Sequence, residues 1–129
     1  MVNKCNKNIA VISKPFKIFH QNIRGLGKKA ELLSHLHPDS PHVLCLTEHH
    51  LQYLQLEKVH IENYNLGAHY CRQLCEKGGV AIFVHNSQCF SNIDIVKHCE
   101  EQDIEICALK LSLGTLNTYM CINTTEPLC

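Results

Sequence analysis

An acid and two imidazoles close an apolar run in Val43-Leu44-Cys45-Leu46-Thr47-Glu48-His49-His50. Four consecutive apolar residues suit a strand covered on both faces, and polar side chains at the carboxyl end of a parallel strand can meet a ligand. Glu48 is therefore the first candidate ligand; the alternative is an acid that opens a solvated loop. A second set, Cys71-x₃-Cys75 with His85-x₃-Cys89, has four possible zinc ligands. Its second pair straddles the end of an apolar strand, and the chain has no Cys-x₂-Cys knuckle. His35, His37, His49 and His50 form a further group, but ten histidines in 129 residues make neighbours expected from composition alone. Satisfied or exposed histidine is the preferred reading of them. No Ser/His/Asp order, P-loop or dinucleotide glycine fingerprint appears.

Net charge is zero, yet the bases are gathered at one end. The first thirty residues carry seven (Lys4, Lys7, Lys14, Lys17, Arg24, Lys28, Lys29) with no acid before Glu31, and the remainder carries five bases against twelve acids. A one-sided positive footprint permits a phosphate-bearing partner without demanding one; a solvated lysine tail is the commoner meaning.

These groups need elements to position them. Residues 1–14 lack periodicity and read as a loose basic leader, ended by Pro15; a single domain follows over 15–129. Phe16 to Asn22 is β-rich, Gly25 and Gly27 break it, and a helix runs from Lys28 to about Leu36 before Pro38 and Pro41 stop it. The strand Val43–Thr47 completes a β-α-β unit, and a right-handed crossover lays both strands in one parallel sheet with Asn22 and Glu48 at their carboxyl ends. Weak helical order follows over Leu51 to Lys58, then a strand over Tyr64 to Tyr70. Gly78-Gly79 feeds a second fully apolar strand, Val80 to Val84. From Cys89 the spacing predicts an antiparallel meander: Ile93–Val96, Ile104–Leu111 and Thr118–Asn123.

The order Gln21-Asn22-Ile23-Arg24-Gly25-Leu26, then Leu46-Thr47-Glu48-His49-His50-Leu51, then Gly78 to Val84, resembles the endonuclease/exonuclease/phosphatase superfamily. Within it, the likeness is nearest to the apurinic-type endonuclease domain of non-LTR retrotransposons. The resemblance implies an α/β fold: a partial four-layer α/β sandwich, with a mixed sheet and one or two covering helices. It implies Mg²⁺-dependent phosphodiester hydrolysis on DNA, with Asn22 and Glu48 catalytic and Glu48 holding the metal. Arg24, Lys28, Lys29 and, from its likeness to a basic position of the family, Arg72 would contact the DNA backbone.

The family's later Gly-Asp-x-Asn and Ser-Asp-His segments do not occur here, so the expectation is the amino-terminal half of such a domain, present as an inactive fragment. A noncatalytic nucleic-acid or protein interaction module is the alternative. With the opposite sheet missing or rudimentary, the face carrying Val80, Ile82 and Val84 would stay uncovered and promote self-association. The run Ile9 to Ile12 is far too short for a membrane span, and nine scattered cysteines, an odd number, suit free thiols in a reducing compartment. An intracellular protein, nuclear or cytoplasmic, is expected.

Overall fold

Two strands whose sequences run apolar without alternation lie at the centre of the molecule. In the computed structural model, which describes residues 15–30 and 40–124, these are β2 (Val43–Thr47) and β4 (Val80–His85), buried along nearly their whole length. A strand can be apolar at every position only when both its faces are covered. On one face Val43, Cys45, Val80, Ile82 and Val84 pack against Phe90, Cys107, Leu109, Leu111 and Ile122. On the other, Leu44, Leu46, Ala81 and Phe83 meet Ile23, Leu26, Leu56 and Ile61.

β1 (Ile18–Asn22) pairs in parallel with β2, from Ile18 opposite Val43 to Asn22 opposite Thr47. β4 runs antiparallel to β2 and to β3 (Tyr64–Tyr70), giving a four-stranded sheet of order β1-β2-β4-β3. The rest of the chain makes a three-stranded antiparallel meander, β5 (Cys89–Ile93), β6 (Glu105–Leu113) and β7 (Leu116–Thr124). Alternation along β6 turns Cys107, Leu109 and Leu111 to one side, and that side closes the first core.

The molecule is therefore a two-sheet β structure and not an α/β sandwich with covering helices. Strand makes up 47% of the described residues and helix 10%. The apolar order over Leu51 to Lys58 sustains only α1 (Tyr53–Leu56), one turn held by a capping box in which Gln52 and Gln55 exchange side-chain and backbone hydrogen bonds. Among the described residues, loops and this turn cover the outer face. The helix expected from Lys28 begins as a 3₁₀ turn at Gly27–Lys29; residues 31–39, like the leader over 1–14, lie outside the described residues.

The second sheet, expected to be missing or rudimentary, is present with three strands. Val80, Ile82 and Val84 are 0% exposed beneath it, so the open face expected to drive self-association does not exist. The physical reason lies in β6, whose period-two apolar face needs an apolar partner and finds it in the nearest fully apolar strands. The strand expected over Ile93–Val96 is displaced to Cys89–Ile93, with a 3₁₀ turn at Val96–His98. Among the described residues no helix is long and apolar enough to cross a membrane. Cys45, Cys71, Cys99, Cys107 and Cys121 are free thiols, whereas Cys75 and Cys89 are disulfide-bonded, which departs from the free thiols expected there.

Candidate functional site

Three loops meet at the carboxyl ends of β1 and β2 and the start of β4. The ladder between β1 and β2 continues past the strands: Ile23 N–H donates to Thr47 O (3.0 Å), Gly25 N–H to Glu48 O (2.7 Å) and Leu26 N–H to His49 O (2.8 Å). On the other side His50 N–H donates to Gly78 O (2.8 Å) and His49 N–H to Gly79 O (3.4 Å). The backbone of residues 48–50 is thus clamped from both flanks.

The clamp holds an unusual conformation. Arg24, Glu48 and His50 all have positive φ, at 46°, 54° and 61°. Left-handed backbone is disfavoured for side chains with a Cβ, and such strain persists only where surrounding contacts over-determine it. Three of the five positive-φ residues other than glycine found in the described residues stand in this one corner.

Asn22 and Glu48 arrive at the same end of the sheet, as the parallel pairing requires. Asn22 Oδ1 accepts the N–H of Arg24 at 3.2 Å, which shapes the turn and leaves the amide nitrogen as the half of the group able to donate to an anion. Glu48 is partly exposed, and its Oε1 lies 3.8 Å from His50 Nε2. Arg24 is exposed beside them. Lys29 sends its ammonium back to Ile23 O at 2.6 Å, pinning the loop that follows β1. For Lys28 only the backbone is described, as part of the 3₁₀ turn.

Arg72 sits elsewhere and does something else. It is 3% exposed, and its Nε donates to Glu105 Oε2 at the first residue of β6. Glu105, 0% exposed, also accepts the N–H of Gly79 (2.9 Å) on Oε1 and of Gln102 (2.9 Å) on Oε2. The guanidinium is held inside the fold instead of facing solvent, and through Gly79 the carboxylate braces the turn that clamps His49. Glu101 braces the same excursion from outside, its carboxylate accepting the N–H groups of Gln73, Leu74 and Cys75.

His49 is the buried counterpart of Glu48 and His50, 0% exposed. Its Nδ1 accepts the N–H of Leu51 at 2.9 Å, so Nε2 carries the proton and donates to Tyr70 O at 3.0 Å. Burial lowers its pKa to about 4, against the opposing hydrogen bond to Tyr70. The expectation of a satisfied histidine fits it. Glu105 carried no expectation, yet its signal was there: it shares the odd-numbered face of β6 with Cys107, Leu109 and Leu111, and a carboxylate on a core face needs a cation.

Gly78 and Gly79 explain themselves at this junction. They have φ of +92° and +89°; a Cβ on Gly79 would stand 2.5 Å from the His49 ring and 3.0 Å from Tyr70 O, and one on Gly78 would meet the Arg72 guanidinium at 2.2 Å. Gly79→Ala combines backbone strain with overpacking against a buried ring and is expected to cost about 3 kcal/mol, read from the urea midpoint.

No family model matches the chain, and no curated protein matches it.

Whether the corner suits a metal is decided by its donors. Among the described residues no group of three or more His, Cys, Asp or Glu side chains converges. The four candidate zinc residues are divided, with Cys71 just past the end of β3 that pairs with Val80, and His85 at the far end of β4, on the order of 16 Å along the strand. Glu48 and His50 do come together, and His50 Nε2 is buried with no hydrogen-bond partner. One carboxylate fits Mg²⁺, which keeps several waters and is commonly held by one or two carboxylates with substrate phosphates.

Proposed function

We propose that this chain binds the DNA backbone at the corner built by Asn22, Arg24 and Glu48, a phosphodiester site of the endonuclease type, in a retrotransposon-derived protein. What supports the reading is the parallel, in-register pairing of β1 with β2, which brings Asn22 and Glu48 to one end of the sheet. The strained, doubly clamped backbone of 48–50 adds to it, because such strain gathers at functional sites. Glu48 holds Mg²⁺, which when bound neutralises charge on a nonbridging phosphate oxygen. Asn22 donates to a neighbouring oxygen without adding negative charge. Arg24, Lys28 and Lys29 attract the flanking phosphates, whereas Arg72 serves the fold. A DNA partner places the protein inside the cell, in nucleus or cytoplasm.

By itself the chain binds and does not cut. Its sequence has neither a Gly-Asp-x-Asn nor a Ser-Asp-His segment to activate water. Losing a general base removes typically ~10²–10⁴ in rate, and losing electrostatic partners a further ~10²–10³. Fluorescence anisotropy with duplexes of unrelated sequence is expected to give similar affinities. With three phosphate contacts, affinity should fall roughly 40-fold between about 50 and about 200 mM salt. An affinity indifferent to salt would refute the reading. On supercoiled plasmid with Mg²⁺ no nicking is expected; nicking abolished by Glu48→Gln would instead establish a complete enzyme.

A further inference from the structure

His50 has no role in the site as described so far, and its chemistry is left over. Its Nε2 is buried without a hydrogen-bond partner among the described residues, a state that buried polar atoms seldom keep. The nearest acidic oxygen, Glu48 Oε1 at 3.8 Å, is too far for a hydrogen bond. Two metal–ligand bonds of about 2.0–2.2 Å, the range zinc shows to nitrogen and oxygen, would span that gap. The backbone of His50 is held by its N–H to Gly78 O, and its ring lies against Gly25, where an added Cβ would stand 3.3 Å from Nδ1. His49 between them is buried inward, so Glu48 and His50 are the pair that meet.

We propose that His50 Nε2 and Glu48 are paired protein donors for one divalent cation, and that the site takes Mn²⁺ in preference to Mg²⁺. This rests on the phosphodiester-site reading for its location but not for its test. Mg²⁺ is selective for oxygen and releases water reluctantly, so an imidazole adds little to its binding. The first-row divalent ions bind mixed nitrogen and oxygen sites, with Mn²⁺ at the oxygen-tolerant end of the series. A carboxylate beside an imidazole matches that taste, and waters or phosphate oxygens complete the shell. The strained φ at both residues is then the cost of aiming two donors at one point.

The test is Mn²⁺ binding by the chain without DNA, followed by electron paramagnetic resonance, with Mg²⁺ as competitor. Spin-echo modulation from a directly bound imidazole nitrogen is expected in the unmodified chain and lost in His50→Asn; asparagine tolerates the left-handed backbone. His50→Asn should weaken Mn²⁺ at least about tenfold, leaving Mg²⁺ unchanged. Absence of the nitrogen modulation in the unmodified chain overturns the proposal whether or not the variant folds. Equal Mn²⁺ affinity in the folded variant does so too. If Glu48→Gln abolishes Mn²⁺ binding while His50→Asn does not, the His50 assignment fails and the carboxylate site stands. If neither variant changes binding, both fail.

Discussion

Glu105→Gln is expected to destabilise the protein by about 3–5 kcal/mol, the usual consequence of removing one partner of a buried ion pair. The substitution keeps the volume but removes the charge and one acceptor: its single amide oxygen can serve Gly79 or Gln102, and the NH₂ that replaces the other oxygen can only donate. Arg72, 3% exposed with its Nη2 already lacking a partner, would be left as an uncompensated cation inside the fold. Domains of this size have about 5–15 kcal/mol in hand, so the loss brings the variant near its limit at room temperature. Equilibrium urea unfolding by circular dichroism should show a lower midpoint with an unchanged slope. Adding Arg72→Met to Glu105→Gln should cost less than the two separate losses together, because the second change removes the stranded charge. Full additivity would show that the pair is not coupled.

The second large effect comes from pH. His49 is neutral in the fold because burial lowers its pKa from the ordinary 6.5 to about 4. Above pH 6.5 the residue is neutral in folded and unfolded chains alike, and its contribution is complete. As pH falls below 6.5 the unfolded chain takes up a proton that the folded chain refuses, so stability declines until about pH 4, where the folded form accepts it too. The loss from His49 is about 2 kcal/mol at pH 5 and about 3 kcal/mol in full. His42, His69 and His85 are lowered mainly by burial as well and act in the same direction. Urea midpoints between pH 7 and pH 4.5 measure the slope. His49→Gln should lower stability at pH 7 and flatten most of that slope; an unchanged slope would rule out His49 as its source.

Strand positions were legible wherever burial left a plain pattern. Val43–Thr47 and Tyr64–Tyr70 fall where the sequence put them, and β4 extends the expected Val80–Val84 by only His85. The parallel pairing of β1 with β2, and the placing of Asn22 with Glu48, followed from the glycine turn and the crossover rule. The layer opposite was misjudged. The spacing of strands after Cys89 predicts the meander, but spacing alone does not tell that its apolar face covers the two all-apolar strands. Arg72 was misplaced for a related reason: its partner Glu105 is distant in sequence, and only the period-two face of β6 hinted that a buried acid waited for a cation. The left-handed backbone at Glu48 and His50 had no sequence signal, since it is held by the hydrogen bonds that Gly25 N–H donates to Glu48 O and His50 N–H donates to Gly78 O.

The clamp also orders assembly in time. Residues 22–26, 48–50 and 78–79 come from three distant stretches, joined by backbone bonds between those stretches. Closing such loops costs entropy before any contact repays it, and topologies dominated by distant pairings fold slowly for that reason. The β3–β4 hairpin can form from neighbouring sequence, whereas the corner carrying Glu48 has to wait until β2 has found both β1 and β4. No local folding step can prepare it, and a nascent chain that has not yet emerged as far as Gly78 and Gly79 has the carboxylate but not the geometry that aims it.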